Sequence, residues 1–242
     1  MYEFFSLWGK EDEKEITADI EEDISFLMEQ GFLTEKKKIS SIKHYETDTL
    51  KDLYMYNMGN VILQVTQNCN LRCEYCVYSG SYINRVHTNK RMSFETAVKT
   101  IDFLAAHSLN CNEVSIGFYG GEPLLEIELI KKAVSYAKEV FGEKKVNFNM
   151  TTNATLLNMD IADFLVQNDF NITISLDGPR NIHNKNRIFA NSNKGTFDLI
   201  MENIALIREK YPFFDKKISF NAVIDLKQNV SCTCLLYTSP SP

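Results

Sequence analysis

The stretch Val61-Ile62-Leu63-Gln64-Val65-Thr66-Gln67-Asn68-Cys69-Asn70-Leu71-Arg72-Cys73-Glu74-Tyr75-Cys76 runs from an apolar, strand-length segment into three closely spaced cysteines. The apolar and β-branched residues over Val61 to Val65 predict a buried strand, so the loop that follows presents its thiols at the strand's carboxyl end. Three thiolates grouped in this way can hold three corners of a four-iron cube and leave the fourth iron open to a small molecule. Clusters that only carry electrons are closed by four cysteines. Structural zinc asks for a closed set of four ligands, usually in two short pairs. The nearest further candidate, His87, stands in no finger-like spacing. A disulfide would need an oxidising compartment, for which the chain carries no signal.

Outward from this stretch, strand-like and helix-like patterns alternate. Strands are expected over 61–66, 114–119, 146–151, 172–177 and 217–224. Between the first two, Phe94, Ala97, Val98, Ile101, Leu104 and Ala105 recur at helical spacing, with Ser93 as N-cap. Such a series builds a parallel sheet, either doubly wound or closed into a barrel.

Each strand carries one apolar phase, as in Val146, Phe148 and Met150, in Ile172, Ile174 and Leu176, or in Ile218, Phe220 and Ala222. The other phase is small or polar: Gln64 and Thr66, Ser115 and Gly117, Asn147, Asn149 and Thr151, Thr173, Ser175 and Asp177, Ser219 and Asn221. An eight-stranded barrel ordinarily fills its interior with branched apolar side chains, and parallel strands covered on both faces read as continuous apolar runs. The alternation therefore predicts a barrel around a polar cavity that holds a polar ligand. An antiparallel sheet with one wet face is the alternative, and the intervening helices argue against it.

Cys-x3-Cys-x2-Cys with Tyr75 before the last cysteine resembles the signature of radical S-adenosylmethionine (SAM) enzymes. In that family the amino and carboxylate groups of SAM chelate the open iron, and an electron from the reduced cluster cleaves SAM to methionine and a 5′-deoxyadenosyl radical. The resemblance implies Cys69, Cys73 and Cys76 as ligands of a [4Fe-4S] cluster, with Tyr75 beneath the adenine. Gly120-Gly121-Glu122-Pro123 resembles the family's Gly-Gly-Glu element at the SAM amino group. A glycine pair lets backbone approach a ligand and a carboxylate can pair with an ammonium, although alone the four residues would be an ordinary turn.

Thr151-Thr152-Asn153-Ala154-Thr155 resembles the Thr-Asn segment near SAM, with Ala154 where glycine is common. Ser175-Leu176-Asp177-Gly178-Pro179 resembles the serine and Asp-Gly-Pro turn of peptide-modifying members. It implies a hydrogen bond from Ser175 to the SAM carboxylate or ribose, whereas Asp177 either contacts the cofactor or fixes the turn through its side chain. Arg187, in Asn186-Arg187-Ile188-Phe189, is a candidate for the same carboxylate.

Residues 58–230 resemble the N-terminal part of peptide-modifying radical SAM enzymes that carry a cysteine-rich (SPASM) domain with auxiliary iron-sulfur clusters. The implied fold is α/β, a partial (β/α)6 TIM-like barrel truncated after about five strand units, the auxiliary clusters belonging to the missing C-terminal region. Cys76-Val77-Tyr78-Ser79-Gly80 and Asn84-Arg85-Val86-His87 resemble maturases that build thioether bridges in ribosomally made cysteine-rich peptides. The sulfatase maturases are near neighbours. A precursor peptide and a reductant such as flavodoxin or ferredoxin are the implied partners.

Residues 1–57 form an expected α+β appendage. Ile16, Ile20, Ile24, Leu27 and Met28 make an apolar stripe, followed by Gly31-Phe32-Leu33 and the basic run Lys36 to Lys38. This resembles part of a winged-helix domain that grips a leader peptide as an added strand; an amphipathic helix packed on the barrel explains the same stripe. The final segment, Cys234-Leu235-Leu236-Tyr237-Thr238-Ser239-Pro240-Ser241-Pro242, reads as a translated sequencing adapter, so Cys232 and Cys234 are not taken as a metal motif. Cys111 is expected as a small core residue.

Composition narrows the function classes. A net charge of -6 and an isoelectric point near 5.3 argue against a nucleic-acid surface, which needs a basic face. No apolar run is long enough to cross a bilayer, and no signal peptide is visible, so a cytoplasmic protein is expected. The expected activity is SAM cleavage followed by modification of a peptide, by thioether formation at cysteine. The alternatives are formylglycine formation in sulfatases, a non-catalytic iron-sulfur or zinc module, and an inactive gene fragment.

Overall fold

In the computed structural model, residues 13–30, 32, 44, 46–78 and 86–224 are described. The chain divides into two compact units, 1–48 and 49–242. In the first, α1 (Glu13–Glu29) is the helix that the apolar stripe predicts, and Ile20, Ile24, Leu27 and Met28 along it are exposed. The glycine stop and the basic run of the expected wing lie outside the described residues, as do Ser79, Gly80, Asn84, Arg85 and the tail from residue 225.

The second unit opens with α2 (Leu50–Tyr56), earlier than the expected boundary at residue 58. Backbone bonds from Met58 N to His107 O and from Asn110 N to Tyr56 O tie this short helix to the unit that follows it. Five strands then alternate with helices: β1 (Asn60–Thr66), α3 (Phe94–His107), β2 (Glu113–Gly120), α4 (Ile127–Phe141), β3 (Lys145–Thr152), α5 (Met159–Gln167), β4 (Asn171–Ser175), α6 (Arg180–Asn186), α7 (Phe197–Lys210) and β5 (Ile218–Asn221). Side-chain caps mark two of the helix starts. Ser93 accepts from Thr96 N at 3.2 Å, as expected, and Asn158 accepts from Ile161 N at 2.9 Å, each cap contributing about 1 kcal/mol.

All strands are parallel and lie in the order β1-β2-β3-β4-β5. When sequential parallel strands are joined by crossovers of one hand, every helix falls on the same face of the sheet. This is the winding of a barrel rather than of a doubly wound sheet, and among the described residues the sheet is open. The antiparallel alternative is excluded by the register.

The apolar phase packs under the helices. Leu63, Val65, Ile116, Phe118, Phe148, Met150, Ile172 and Ile174 are buried against Ile101 and Leu104 of α3, Ile130 and Val134 of α4, Leu165 of α5 and Ile200 and Ile204 of α7. Phe118, Phe148 and Phe170 stack with ring centroids 5.4 to 6.5 Å apart. Each such side chain contributes about 1.5–3 kcal/mol on burial. Cys111 packs at the edge of this core.

Two strands are shorter than their patterns predict, β4 ending at Ser175 and β5 spanning only Ile218–Asn221. β4 stops at Ser175 because Gly178, at φ +126°, turns the chain away. Lys217 belongs to a 3-10 turn begun at Pro212, which leaves β5 to start at Ile218. Among the described residues no helix is long and apolar enough to cross a membrane.

Candidate functional site

The cysteine loop leaves β1 at its carboxyl end and is laced to its neighbours by backbone. Gly121 N donates to Thr66 O at 2.9 Å, and Glu122 N to Asn68 O at 2.9 Å. This approach is why both glycines are needed. A Cβ on Gly120, at φ +143°, would lie 2.3 Å from Thr66 O, and one on Gly121 would lie 2.0 Å from Asn68 O. On another side, Asn70 Nδ2 donates to Thr155 Oγ1 at 2.8 Å, and Asn153 Nδ2 donates to Asn70 Oδ1 at 2.9 Å.

The remaining side of the loop is a short antiparallel ribbon for which the sequence carries no signal. Arg72 N donates to Ile188 O, Glu74 N to Asn186 O and Ala190 N to Asn70 O, with Leu71 bridged to Phe189. The segment after β4 thus clamps the loop directly, through main-chain groups that any residue supplies.

Cys69, Cys73 and Cys76 are free thiols that line one cavity of about 400 Å3. Tyr75, Gly120, Gly121, Asn153, Ser175 and Arg187 line it as well. The residues picked out along the chain therefore come together at the carboxyl ends of β1 to β4, where this winding places active sites.

Burial pushes the Cys69 thiol up to about 12, and the negative Glu122 and the other two cysteines add to the rise. Burial likewise pushes Cys73 up to about 11. Three thiolates here are unfavourable without a cation between them, and iron supplies that compensation. Leu71 N already donates to Cys69 Sγ at 3.3 Å. Among the described residues no three His, Cys, Asp or Glu side chains converge to hold a single metal ion, as structural zinc requires. In a cube each thiolate binds its own iron, so the three thiols have no need to converge. The donor set fits a [4Fe-4S] cluster.

Glu122 and Asp177, unlike the other residues picked out along the chain, do not line the cavity. Glu122 is 0% exposed and does not line the cavity. Its Oε1 accepts from Leu124 N at 3.0 Å and Thr152 Oγ1 at 2.6 Å, and its Oε2 from Asn153 N at 2.7 Å. Burial pushes the carboxyl above its usual range. With three internal donors, the group joins the loops after β2 and β3.

Asp177 is also buried and accepts from three segments: Tyr75 Oη, Arg187 Nε at 3.0 Å and Val223 N at 3.1 Å. The turn-fixing reading of this residue is therefore the one the geometry favours, with a wider reach than one turn. Arg187, 8% exposed, places its guanidinium carbon 5.4 Å above the Tyr75 ring. One carboxylate thus holds both the ring and the cation that line the cavity. Burial and this carboxylate push the Tyr75 phenol far above its ordinary value.

Two further features follow from packing. Ala154 adopts φ +58°, a left-handed conformation. This explains why glycine is common at the position, since an L-residue there costs about 1 kcal/mol. His183 is buried behind Asp177, where its Nδ1 accepts from Asp177 N at 3.3 Å and its Nε2 donates to Thr196 Oγ1 at 2.9 Å. Thr196 Oγ1 passes the chain on to Arg187 O at 3.2 Å. Burial pushes the imidazole down to about 4, so the ring is neutral. A lone histidine in Arg180-Asn181-Ile182-His183 carries no spacing signal by which sequence could have found it.

The sequence model of the Radical SAM superfamily matches residues 63–230. The chain is 33% identical to a cysteine-type anaerobic sulfatase-maturating enzyme of Clostridium novyi, over 73% of this chain and 46% of that protein. Native anSMEcpe with bound AdoMet superposes with a TM-score of 0.61 and 27% identity, over 74% of this chain and 48% of that one. The same comparison with native anSMEcpe bound to AdoMet and Cp18Cys peptide gives a TM-score of 0.56 and 28% identity, over 67% and 42%. The chain spans about half the length of the relatives it matches. It belongs to the radical SAM superfamily, and with that membership come a [4Fe-4S] cluster and SAM as its cofactors.

Proposed function

We propose that this chain contributes the cofactor-binding barrel of a peptide-modifying radical SAM enzyme. The observation that carries the reading is the single cavity shared by three cysteines, a glycine pair, Ser175 and Arg187. Cys69, Cys73 and Cys76 would hold the cluster. The backbone of Gly120 and Gly121 would meet the SAM amino group, and Ser175 and Arg187 its carboxylate or ribose. Tyr75, held by Asp177, would lie under the adenine. When bound, cluster and SAM supply the radical chemistry; the chain's own residues orient the cofactor and exclude water.

A peptide substrate is supported by the sulfatase-maturating name of the Clostridium novyi relative and by the peptide-bound neighbour. Thioether formation at cysteine is the finer reading, suggested by the segments 76–80 and 84–87. Formylglycine formation is the second reading, favoured by that same relative. A low-potential flavodoxin or ferredoxin and a reducing, cytoplasmic setting complete the proposal.

The test is anaerobic reconstitution of the full-length protein, with assays of iron, sulfide and 5′-deoxyadenosine. Replacing Cys69, Cys73 and Cys76 together by Ala should lower the iron content by about four, with matching sulfide, and Cys73→Ala should abolish 5′-deoxyadenosine. Cleavage of SAM by that variant at the wild-type rate would remove the cysteine loop from the mechanism. With a cysteine peptide, loss of two hydrogens with sulfur retained supports the thioether reading, and loss of sulfur supports formylglycine.

A further inference from the structure

A second cavity, of about 220 Å3, lies on the inner face of the sheet, toward the amino ends of the strands. Register sets Ile62 beside Gly117, Gly117 beside Asn149, and Asn149 beside Asn171 across this floor. Its amides and hydroxyls are linked laterally. Asn149 Nδ2 donates to Ser115 Oγ at 2.6 Å, Asn171 Nδ2 donates to Asn149 Oδ1 at 3.2 Å, and the Thr173 and Ser219 hydroxyls lie 3.0 Å apart. Ile62 and Tyr119 stand out from this polar floor, 64% and 52% exposed.

None of the residues lining this cavity carries a charge. The nearest ion pair on the same strands, Lys145 to Glu113 at 2.8 Å, sits at their amino ends and neutralises itself. Tyr119 and Thr151 line both this cavity and the cysteine cavity, so the two adjoin at these residues.

We propose that this neutral floor is the bed for an uncharged stretch of the peptide substrate beside the residue that is modified. Tyr119 and Thr151 mark where that stretch meets the SAM site. The inference rests on the peptide reading above and adds the chemistry of recognition. Asparagine, serine and threonine offer both donors and acceptors, which matches peptide amides and small polar side chains. A charged side chain laid on the floor would lose hydration and gain no opposite charge. The flat exposed faces of Ile62 and Tyr119 would be covered by the aliphatic parts of the same segment.

The test uses the full-length, cluster-loaded protein with SAM, held anaerobically, and fluorescence anisotropy of three labelled peptides of equal length. Each contains one cysteine. One has flanks of Asn, Ser and Gly only, one carries a single Asp in the flank and one a single Lys. The neutral peptide should bind about tenfold more tightly than either charged one, a difference of about 1.4 kcal/mol. Asn149→Asp should then reverse the preference in favour of the Lys peptide.

Equal binding of all three peptides to the wild type overturns the proposal. So does an Asn149→Asp protein that keeps its fold but leaves the ranking unchanged, as it would if another part of the chain or a second copy filled the bed. Formation of 5′-deoxyadenosine on reduction with dithionite is measured alongside, with and without peptide. Its presence with no preference among peptides sinks the bed alone, and its absence under both conditions sinks the enzyme reading instead.

Discussion

The pair Asp177 and Arg187 offers the sharpest test of how the site is held. Both side chains are buried, with 0% and 10% of their surface exposed, and their charged atoms lie 3.0 Å apart. Asp177→Asn keeps the shape but replaces one of the two acceptor oxygens, Oδ2 facing Tyr75 and Arg187 or Oδ1 facing Val223 N, by an amide nitrogen, and it leaves the Arg187 cation without a countercharge. Breaking a buried pair in this way costs about 3–5 kcal/mol. In a chain of this length each kcal/mol moves the melting temperature by about 2–4 °C, so a fall of roughly 10 °C is expected. Circular dichroism of the iron-free chain under reducing conditions would measure it, free of any effect of cluster loading. Adding Arg187→Met removes the stranded cation and should restore at least about 2 kcal/mol relative to the sum of the two single changes. A cost below about 1 kcal/mol for Asp177→Asn, or strict additivity in the double variant, would refute the claim that this carboxylate organises the cavity wall.

Gly121→Ala should prevent the cysteine loop from seating, because the added carbon would fall 2.0 Å from Asn68 O, a backbone atom. Gly142→Ala is the control: it has φ +55° but open space around it, and should cost only about 1 kcal/mol. Equal iron content in the two variants after reconstitution would contradict the steric argument. His183 makes stability depend on pH. Its folded value lies near 4 against 6.5 in the unfolded chain, so the unfolded chain takes up the proton first as pH falls. The contribution of the neutral ring is complete above about 6.5 and is lost between there and about 4, on the order of 3 kcal/mol. Asp177 and Arg187 are the charges that face it. The urea midpoint should fall further between pH 7 and pH 5 for wild type than for His183→Asn, and equal falls would sink the idea.

Much of this protein is legible along the chain. The two-residue alternation in Phe148-Asn149-Met150 or Ile172-Thr173-Ile174 states both that these are strands and which face meets the helices, because side chains on a strand point alternately to opposite faces. The three cysteines and Gly120-Gly121 are equally legible. Their chemistry depends on residue type and short spacing, and the loop order of parallel strands brings them to one end of the sheet.

Other features could not be read in advance. Glu122 looked like a partner for an ammonium because a carboxylate's charge is visible in sequence, while its three internal donors come from residues folded against it. The ribbon between 70–74 and 186–190 is made by main-chain groups and leaves no mark on residue type.

Sequence by itself therefore determined the strand and helix series, the polar inner face, the cysteine loop and the family to which they belong. Tertiary structure alone decided which charged groups line the cavity and which are spent on holding its walls. Asp177 illustrates the difference. Its partners Tyr75, Arg187 and Val223 are far apart along the chain, and only folding brings them onto one carboxylate, where burial makes the loss of any partner costly.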